Sequence, residues 1–160
     1  MLSIAPLTTD DHDLVTWTLY EAVTWNDPEG VPPLETAIQH PEMVRYHTEW
    51  GRGGDLGVKA TIDGTFAGAA FARLFTDDDH GYGYVDDETP ELGIAAVGGV
   101  RNRGVGRRLM EGLATEARRN GVGRLSLSVN NANPAKRLYE SLGYELVESD
   151  GDSSIMVLDL

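Results

Sequence analysis

The chain predicts a mixed α/β fold, and three stretches carry that prediction. Glu91-Leu92-Gly93-Ile94-Ala95-Ala96-Val97 is an apolar strand that runs through a glycine- and arginine-rich turn into an amphipathic helix. Leu125-Ser126-Leu127-Ser128-Val129 alternates strictly between apolar and polar residues, the period of a half-buried strand, and leads into a short helix announced by Asn133-Pro134. Leu56–Ile62 and Phe66–Phe75 flank Asp63-Gly64, a strong hairpin turn. With no internal repeat and no low-complexity linker, the 160 residues are expected to form one domain, 1–160, long enough to bury a proper core.

Taken in order, Leu2 to Ala5 reads as a first strand. Thr9 or Asp10 can cap a helix through about Val23, with Leu14, Val15, Leu19, Ala22 and Val23 on its apolar stripe. Asn26 to Pro33 breaks the pattern, and a second helical region runs to about Trp50, divided or restarted at Pro41. Gly51 to Asp55 is a loop before the hairpin. Thr76 to Pro90 is a long polar loop leading to the strand at Glu91. The helix from about Gly104 to Asn120 buries Leu109, Met110, Leu113, Ala114 and Ala117 and stops at Gly121. After the strand at 125–129 come a short helix at 134–142, stopped by Gly143, and strands near 144–149 and 154–159. The order is β-α-α-β-β-β-α-β-α-β-β.

Composition narrows the function classes. Twenty-six acidic residues face 13 basic ones, a formal net charge of −13, and only Lys59 and Lys136 are lysines. Such a surface repels nucleic acid and anionic membranes, so neither is an expected partner. The absence of cysteine excludes disulfides, thiolate metal sites and cysteine nucleophiles, and no metal site is expected. Met1 to Pro6 has neither the basic region nor the apolar run of an export leader, and no stretch has the length of a membrane span; the expected location is cytoplasmic.

The turn after the Glu91 strand is built to hold an anion. N–H groups in the first turn of a helix lack intrahelical partners and carry the positive end of the dipole, and Gly104 and Gly106 let an anion approach the backbone. A Walker A loop would need Lys-Ser/Thr after Gly106, where Arg107-Arg108 stands. A dinucleotide fingerprint would need a glycine or alanine at Leu109. The pattern present is Arg-x-x-Gly-x-Gly at Arg101, Gly104 and Gly106. Together with the Glu91–Ala95 strand, it resembles the acetyl-CoA pyrophosphate loop of the GCN5-related N-acetyltransferase (GNAT) superfamily. Asn133-Pro134-Ala135-Lys136-Arg137-Leu138-Tyr139-Glu140-Ser141-Leu142-Gly143-Tyr144 is similar to that superfamily's second hallmark. The resemblance covers residues 56–149 closely and the first fifty loosely.

The resemblance implies a central, mixed, mostly antiparallel twisted sheet of six to seven strands, splayed between the fourth and fifth, with about four flanking helices. It implies acetyl-CoA as co-substrate, with pantetheine contacts on the main chain of Ile94, Ala96 and Val97. The pyrophosphate would rest on the amides of Asn102, Arg103, Gly104, Val105, Gly106 and Arg107. Arg101, Arg103 and Arg107 could add forked contacts, and Asn133 would reach in from across the cleft or serve only as a helix cap. The family often carries His-Pro where this chain has Val97-Gly98, which leaves the pantetheine register open.

The implied reaction is direct transfer of an acetyl group to a primary amine, with no covalent enzyme intermediate. Tyr139 matches the family's tyrosine that assists the leaving thiolate, or else packs under the donor as an aromatic. Glu91 matches a glutamate that deprotonates the amine, or is a strand-end charge; Asp87, Glu88 and His80 are nearby alternatives. The acceptor, a small-molecule or peptide amine, would meet the segments Trp25–Pro33 and Thr76–Pro90, and the negative field would favour a cation. A non-catalytic acyl-CoA sensor and an unrelated phosphate-binding module are the alternatives, and a homodimer is possible.

Overall fold

The computed structural model describes residues 1–26 and 29–160, with Arg101 and Asn102 described for their backbone alone. Its elements are β1 (Leu2–Pro6), α1 (His12–Val23), α2 (Leu34–Ala37), α3 (Pro41–Val44), β2 (Leu56–Ile62), β3 (Thr65–Arg73), β4 (Glu91–Ala96), α4 (Val105–Arg119), β5 (Arg124–Asn130), α5 (Ala135–Ser141), β6 (Glu145–Ser149) and β7 (Ser153–Asp159). The seven strands form one sheet in the order β1-β2-β3-β4-β5-β7-β6. Every neighbouring pair is antiparallel except β4 and β5, which run parallel.

Alternate strand residues point to opposite faces, and the pairing register gives the two faces different chemistry. Leu56, Val58 and Ala60 of β2, Ala70 and Ala72 of β3, Leu92 of β4, and Leu125, Leu127 and Val129 of β5 share one face with Met156 of β7. Helix α4 lies against it, burying Val105, Leu109, Met110, Leu113, Ala114 and Ala117. Each of its larger side chains contributes roughly 1.5–3 kcal/mol by leaving water. The opposite face of β3 and β4 carries Phe71, Arg73, Glu91 and Gly93. There α1 supplies Val15 and Leu19, joined by Tyr46 and Phe75.

Beside that second, smaller apolar cluster sits a wholly buried cation. Arg73 is 0 % exposed; its Nε and Nη2 donate to the two carboxylate oxygens of Asp55 at 2.9 and 2.7 Å, and its Nη1 donates to the carbonyls of Thr48 and Arg45. The guanidinium therefore ties β3 to the 51–55 loop and to the segment after α3.

Several expectations shift in detail. The second helical region is two single turns, α2 and α3, because Pro41 starts α3 at its first position, where His40 Nδ1 accepts from Glu42 N–H at 3.1 Å. The described helices are thus five, two of them minimal. Helix α1 starts at His12, since Asp11, not Thr9 or Asp10, supplies the first helical carbonyl; Asp11 Oδ2 accepts from Thr8 N–H instead of capping the helix. Strand β3 ends at Arg73 rather than Phe75. The turn after β4 coils into a 3-10 helix over Gly98–Arg103.

Candidate active site

Strands β4 and β5 meet at one rung only. Glu91 pairs with Ser126, whose N–H donates to Pro90 O at 2.9 Å, and beyond that point no further pairing joins the two strands. Since Pro90 O points toward β5, the period of two directs the main-chain groups of Leu92, Ile94 and Ala96 toward the same side. Val97 points the other way: its N–H donates to Ala67 O at 2.8 Å and its carbonyl accepts from Val100 N–H. Two residues expected to present their backbone to a ligand, Ile94 and Ala96, therefore face the gap, and Val97 faces β3.

The gap opens into a cleft of about 920 Å³ lined by both strands, by α5 and by the C-terminal end of α1. Glu91, Ile94, Ala96, Gly106, Asn133 and Tyr139 all line it. At its α4 edge, Gly104 adopts φ +78°, a left-handed conformation that L side chains resist, and no side chain caps the helix that follows. A Cβ on Gly104 would meet nothing within 4 Å, so the approach to the first turn is open; one on Gly106 would press Leu138 Cδ2 at 3.3 Å.

The remaining residues of the loop divide. Val105 is buried in the core, so only its backbone can serve a ligand. Arg103 is exposed, and Arg107 donates to Ser141 Oγ at 2.9 Å, bracing α4 against α5. The side chains of Arg101 and Asn102 lie outside the described residues. Asn133 Oδ1 accepts from Ala135 N–H at 2.9 Å, so the residue starts α5 and lines the cleft at once.

Glu91 and Tyr139 stand on opposite sides of the sheet. Glu91 projects to the α1 face, 4 % exposed, with Oε2 accepting from the Tyr46 hydroxyl at 2.7 Å and Oε1 without a hydrogen-bond partner among the described residues. Burial pushes its carboxyl up to about 7, against the Tyr46 hydroxyl and the Gly83 backbone, which favour the carboxylate. Tyr46 is pushed upward in turn by burial and by Glu91, so it stays a donor. Tyr139 is on the α4 face, in the apolar core beside Tyr144, and burial raises its phenol to about 12. Its hydroxyl has no hydrogen-bond partner among the described residues.

Tyr46 was not identified from the sequence, nor was the close packing of the 76–90 loop over it. Tyr46 Oη also accepts from Tyr82 N–H at 2.9 Å, and the chain from Gly81 to Gly83 passes so close that a Cβ on Gly81 would lie 1.9 Å from Tyr46 Oη and 2.6 Å from Glu91 Oε1. A Cβ on Gly83 would lie 2.8 Å from Ser128 N. The spacing Gly81-Tyr82-Gly83-Tyr84 was the available signal. The alternatives to Glu91 are engaged elsewhere: Asp87 with the Tyr84 hydroxyl, His80 in a stack on the Tyr84 ring, and Glu88 exposed.

The acetyltransferase (GNAT) family profile matches residues 18–144, most of the chain. The chain belongs to this family. Solved structures share the fold at low identity. A PaiA N-acetyltransferase from Thermoplasma acidophilum, in complex with coenzyme A, is 17% identical with a TM-score of 0.68, over 100% of this chain and 99% of that one. A ribosomal-protein-alanine N-acetyltransferase from Brucella melitensis is 23% identical with a TM-score of 0.67, over 99% of each chain. YncA from Salmonella typhimurium, a putative acetyltransferase with acetyl-CoA, is 22% identical with a TM-score of 0.65, over 100% of this chain and 94% of that one. No protein of curated function matches the chain. Among the described residues no group of three or more His, Asp or Glu could hold a metal ion, and no helix is long and apolar enough to cross a membrane.

Proposed function

We propose that this GNAT acetyltransferase moves an acetyl group from acetyl-CoA directly to a primary amine, with Glu91 as the base and Tyr139 at the leaving sulfur. The single β4–β5 rung carries the reading: it leaves the groups of Ile94 and Ala96 turned into the gap between these two side chains. Ile94 and Ala96 would hold the pantetheine amides, and the first turn of α4 from Gly104 to Arg107 would receive the pyrophosphate. Acetyl-CoA supplies the activated thioester carbonyl.

Glu91 takes a proton from the incoming ammonium, whose pKa near ~10.4 leaves little free amine at neutral pH. A carboxyl at about 7 is poised for this, being partly ionised there yet far more basic than an exposed glutamate. Nitrogen then bonds to the carbonyl carbon, the C–S bond breaks, and the second nitrogen proton balances the thiolate. Main-chain N–H at Ala96 would stabilise the oxyanion. Tyr139, at about 12, stays protonated against a thiol near ~8.5, so it donates a hydrogen bond to the departing sulfur instead of surrendering its proton.

Calorimetric titration with acetyl-CoA, with ATP as control, tests the donor site: micromolar binding that Gly104→Glu abolishes is expected. Initial rates over both substrates test direct attack. Intersecting double-reciprocal lines are expected; parallel lines would show an acetyl-enzyme and overturn it.

A further inference from the structure

The acceptor side of the cleft has a chemistry of its own. Pairing register puts Glu91, Ser128, Ile155 and Glu148 on the same face of the sheet, the α1 face, across β4, β5, β7 and β6 in turn. Three acidic residues line the cleft there: Glu21 from α1, Glu148 from β6 and Asp150 from the β6–β7 turn. Among the described residues no lysine or arginine lines it. Among the described residues none of the three forms an ion pair; Asp150 Oδ1 accepts only from Ser153 N–H, at 3.0 Å. Arg45 lines the adjoining hollow with Glu148 and is engaged by Asp79 and by His80 O.

A second observation points independently to a ligand in this space. Glu91, more than nine-tenths buried, lines the same cleft, and among the described residues its Oε1 has no hydrogen-bond partner. A buried acceptor atom without a donor is costly unless something that enters the cleft supplies one. The same cleft is also lined by apolar and aromatic side chains, Trp25, Met43, Tyr46, Phe71 and Ile155. They suit a chain of methylenes.

We propose that the acceptor is an aliphatic di- or polyamine, its reactive nitrogen at Glu91 and a distal ammonium at the Glu21–Glu148–Asp150 rim. This rests on the acetyl-transfer reading above. Glu148 lies three strand spacings from Glu91, so their Cα atoms are on the order of 15 Å apart. Side chains on one face of a sheet stand roughly perpendicular to it, so the carboxylates keep about that separation and the two nitrogens that meet them must be separated by several carbons. The arrangement also selects against amines ending in a carboxylate, which the rim would repel.

An isosteric panel tests this, read as thiol release at pH 8 with acetyl-CoA saturating: n-butylamine, 1,4-diaminobutane, its aminopropyl-extended triamine, 4-aminobutanoate and a lysine-containing basic peptide. The expected result is kcat/KM at least tenfold higher for the diamine or triamine than for butylamine, with 4-aminobutanoate lowest. Glu148→Gln combined with Asp150→Asn should pull the diamine-to-butylamine ratio toward one, chiefly through KM, and added salt should do the same. Diamine and butylamine within twofold of each other, a preference for the peptide, or a ratio untouched by the double variant would overturn the proposal. Acetyl-CoA binding without turnover of any amine in the panel would overturn the substrate class alone. Failure to bind acetyl-CoA would overturn the transfer reading and this proposal together.

Discussion

The two faces of the sheet are held by different physics. The α4 face is an apolar contact: Leu109, Met110 and Leu113 of the helix against Val58, Ala70 and Leu92. The α1 face mixes a small aromatic cluster with two buried polar pairs, Arg73 with Asp55 and Tyr46 with Glu91; at its edge the buried His47 meets the exposed His12, Nδ1 to Nε2 at 3.0 Å. Apolar packing tolerates volume-conserving change and fails gradually. A buried charge fails abruptly when its partner goes, because the survivor has no water. The α1 face, proposed to meet the acceptor, is thus the specific one, and the α4 face is the scaffold.

Breaking Arg73 should give the largest effect. Arg73→Leu strands the carboxylate of Asp55 and is expected to cost about 3–5 kcal/mol in denaturant unfolding, whereas the double variant Arg73→Leu/Asp55→Leu should recover most of that loss. The apolar counterpart, Leu113→Ala, should cost about 2–5 kcal/mol, and no second substitution of a polar partner should rescue it. A rescue by charge removal on one face only would sharpen the contrast; equal behaviour would erase it.

Within the specific face, Glu91→Gln should lower kcat/KM by roughly 10²-fold at pH 8 while leaving acetyl-CoA binding within about twofold. In the parent enzyme kcat/KM should rise with pH, with an apparent pKa near 7. Tyr46→Phe removes a hydrogen bond that favours the Glu91 carboxylate, so that apparent pKa should move upward.

The same carboxyl has a smaller thermodynamic signature. Its folded pKa, about 7, lies above the ~4.3 of an unfolded glutamate, so the unfolded chain releases the proton first as pH rises. Glu91's contribution to stability is therefore full below about pH 4 and is lost as pH climbs through 7, on the order of 1–3 kcal/mol. Denaturation midpoints at pH 5 and pH 8 should show that difference shrinking in Glu91→Gln.

What the sequence revealed follows the same division. The order of elements, the hairpin at Asp63-Gly64 and the apolar stripe of α4 were legible, because they depend on local period and on glycine at turns; Ile94, Ala96, Gly106, Glu91 and the 76–90 segment were named from the resemblance. The long-range pairings of the α1 face were not legible. Tyr46 meets Glu91 across 45 positions of sequence, and Arg73 finds Asp55 across a hairpin; no local pattern marks either pairing. The break of the 34–50 region at Pro41 was legible, because a proline suits the start of a new turn; that each piece is only one turn long was not. Arg73 lies within the predicted Phe66–Phe75 strand, and only the fold shows it enclosed.

The lone rung between β4 and β5 makes the sheet two nearly separate blocks. One holds β1 to β4 with α1 and α4; the other holds β5 to β7 with α5 against β5. Few backbone bonds bind one block to the other, so they are held together mainly by the apolar core they share, and the smaller block should exchange its amide protons first. A molecule bridging Ile94 and Ala96 to the opposite wall would stitch them into one. Occupancy of the gap would then be felt beyond it, as slowed exchange at β6, an edge strand two places removed from the β4–β5 gap.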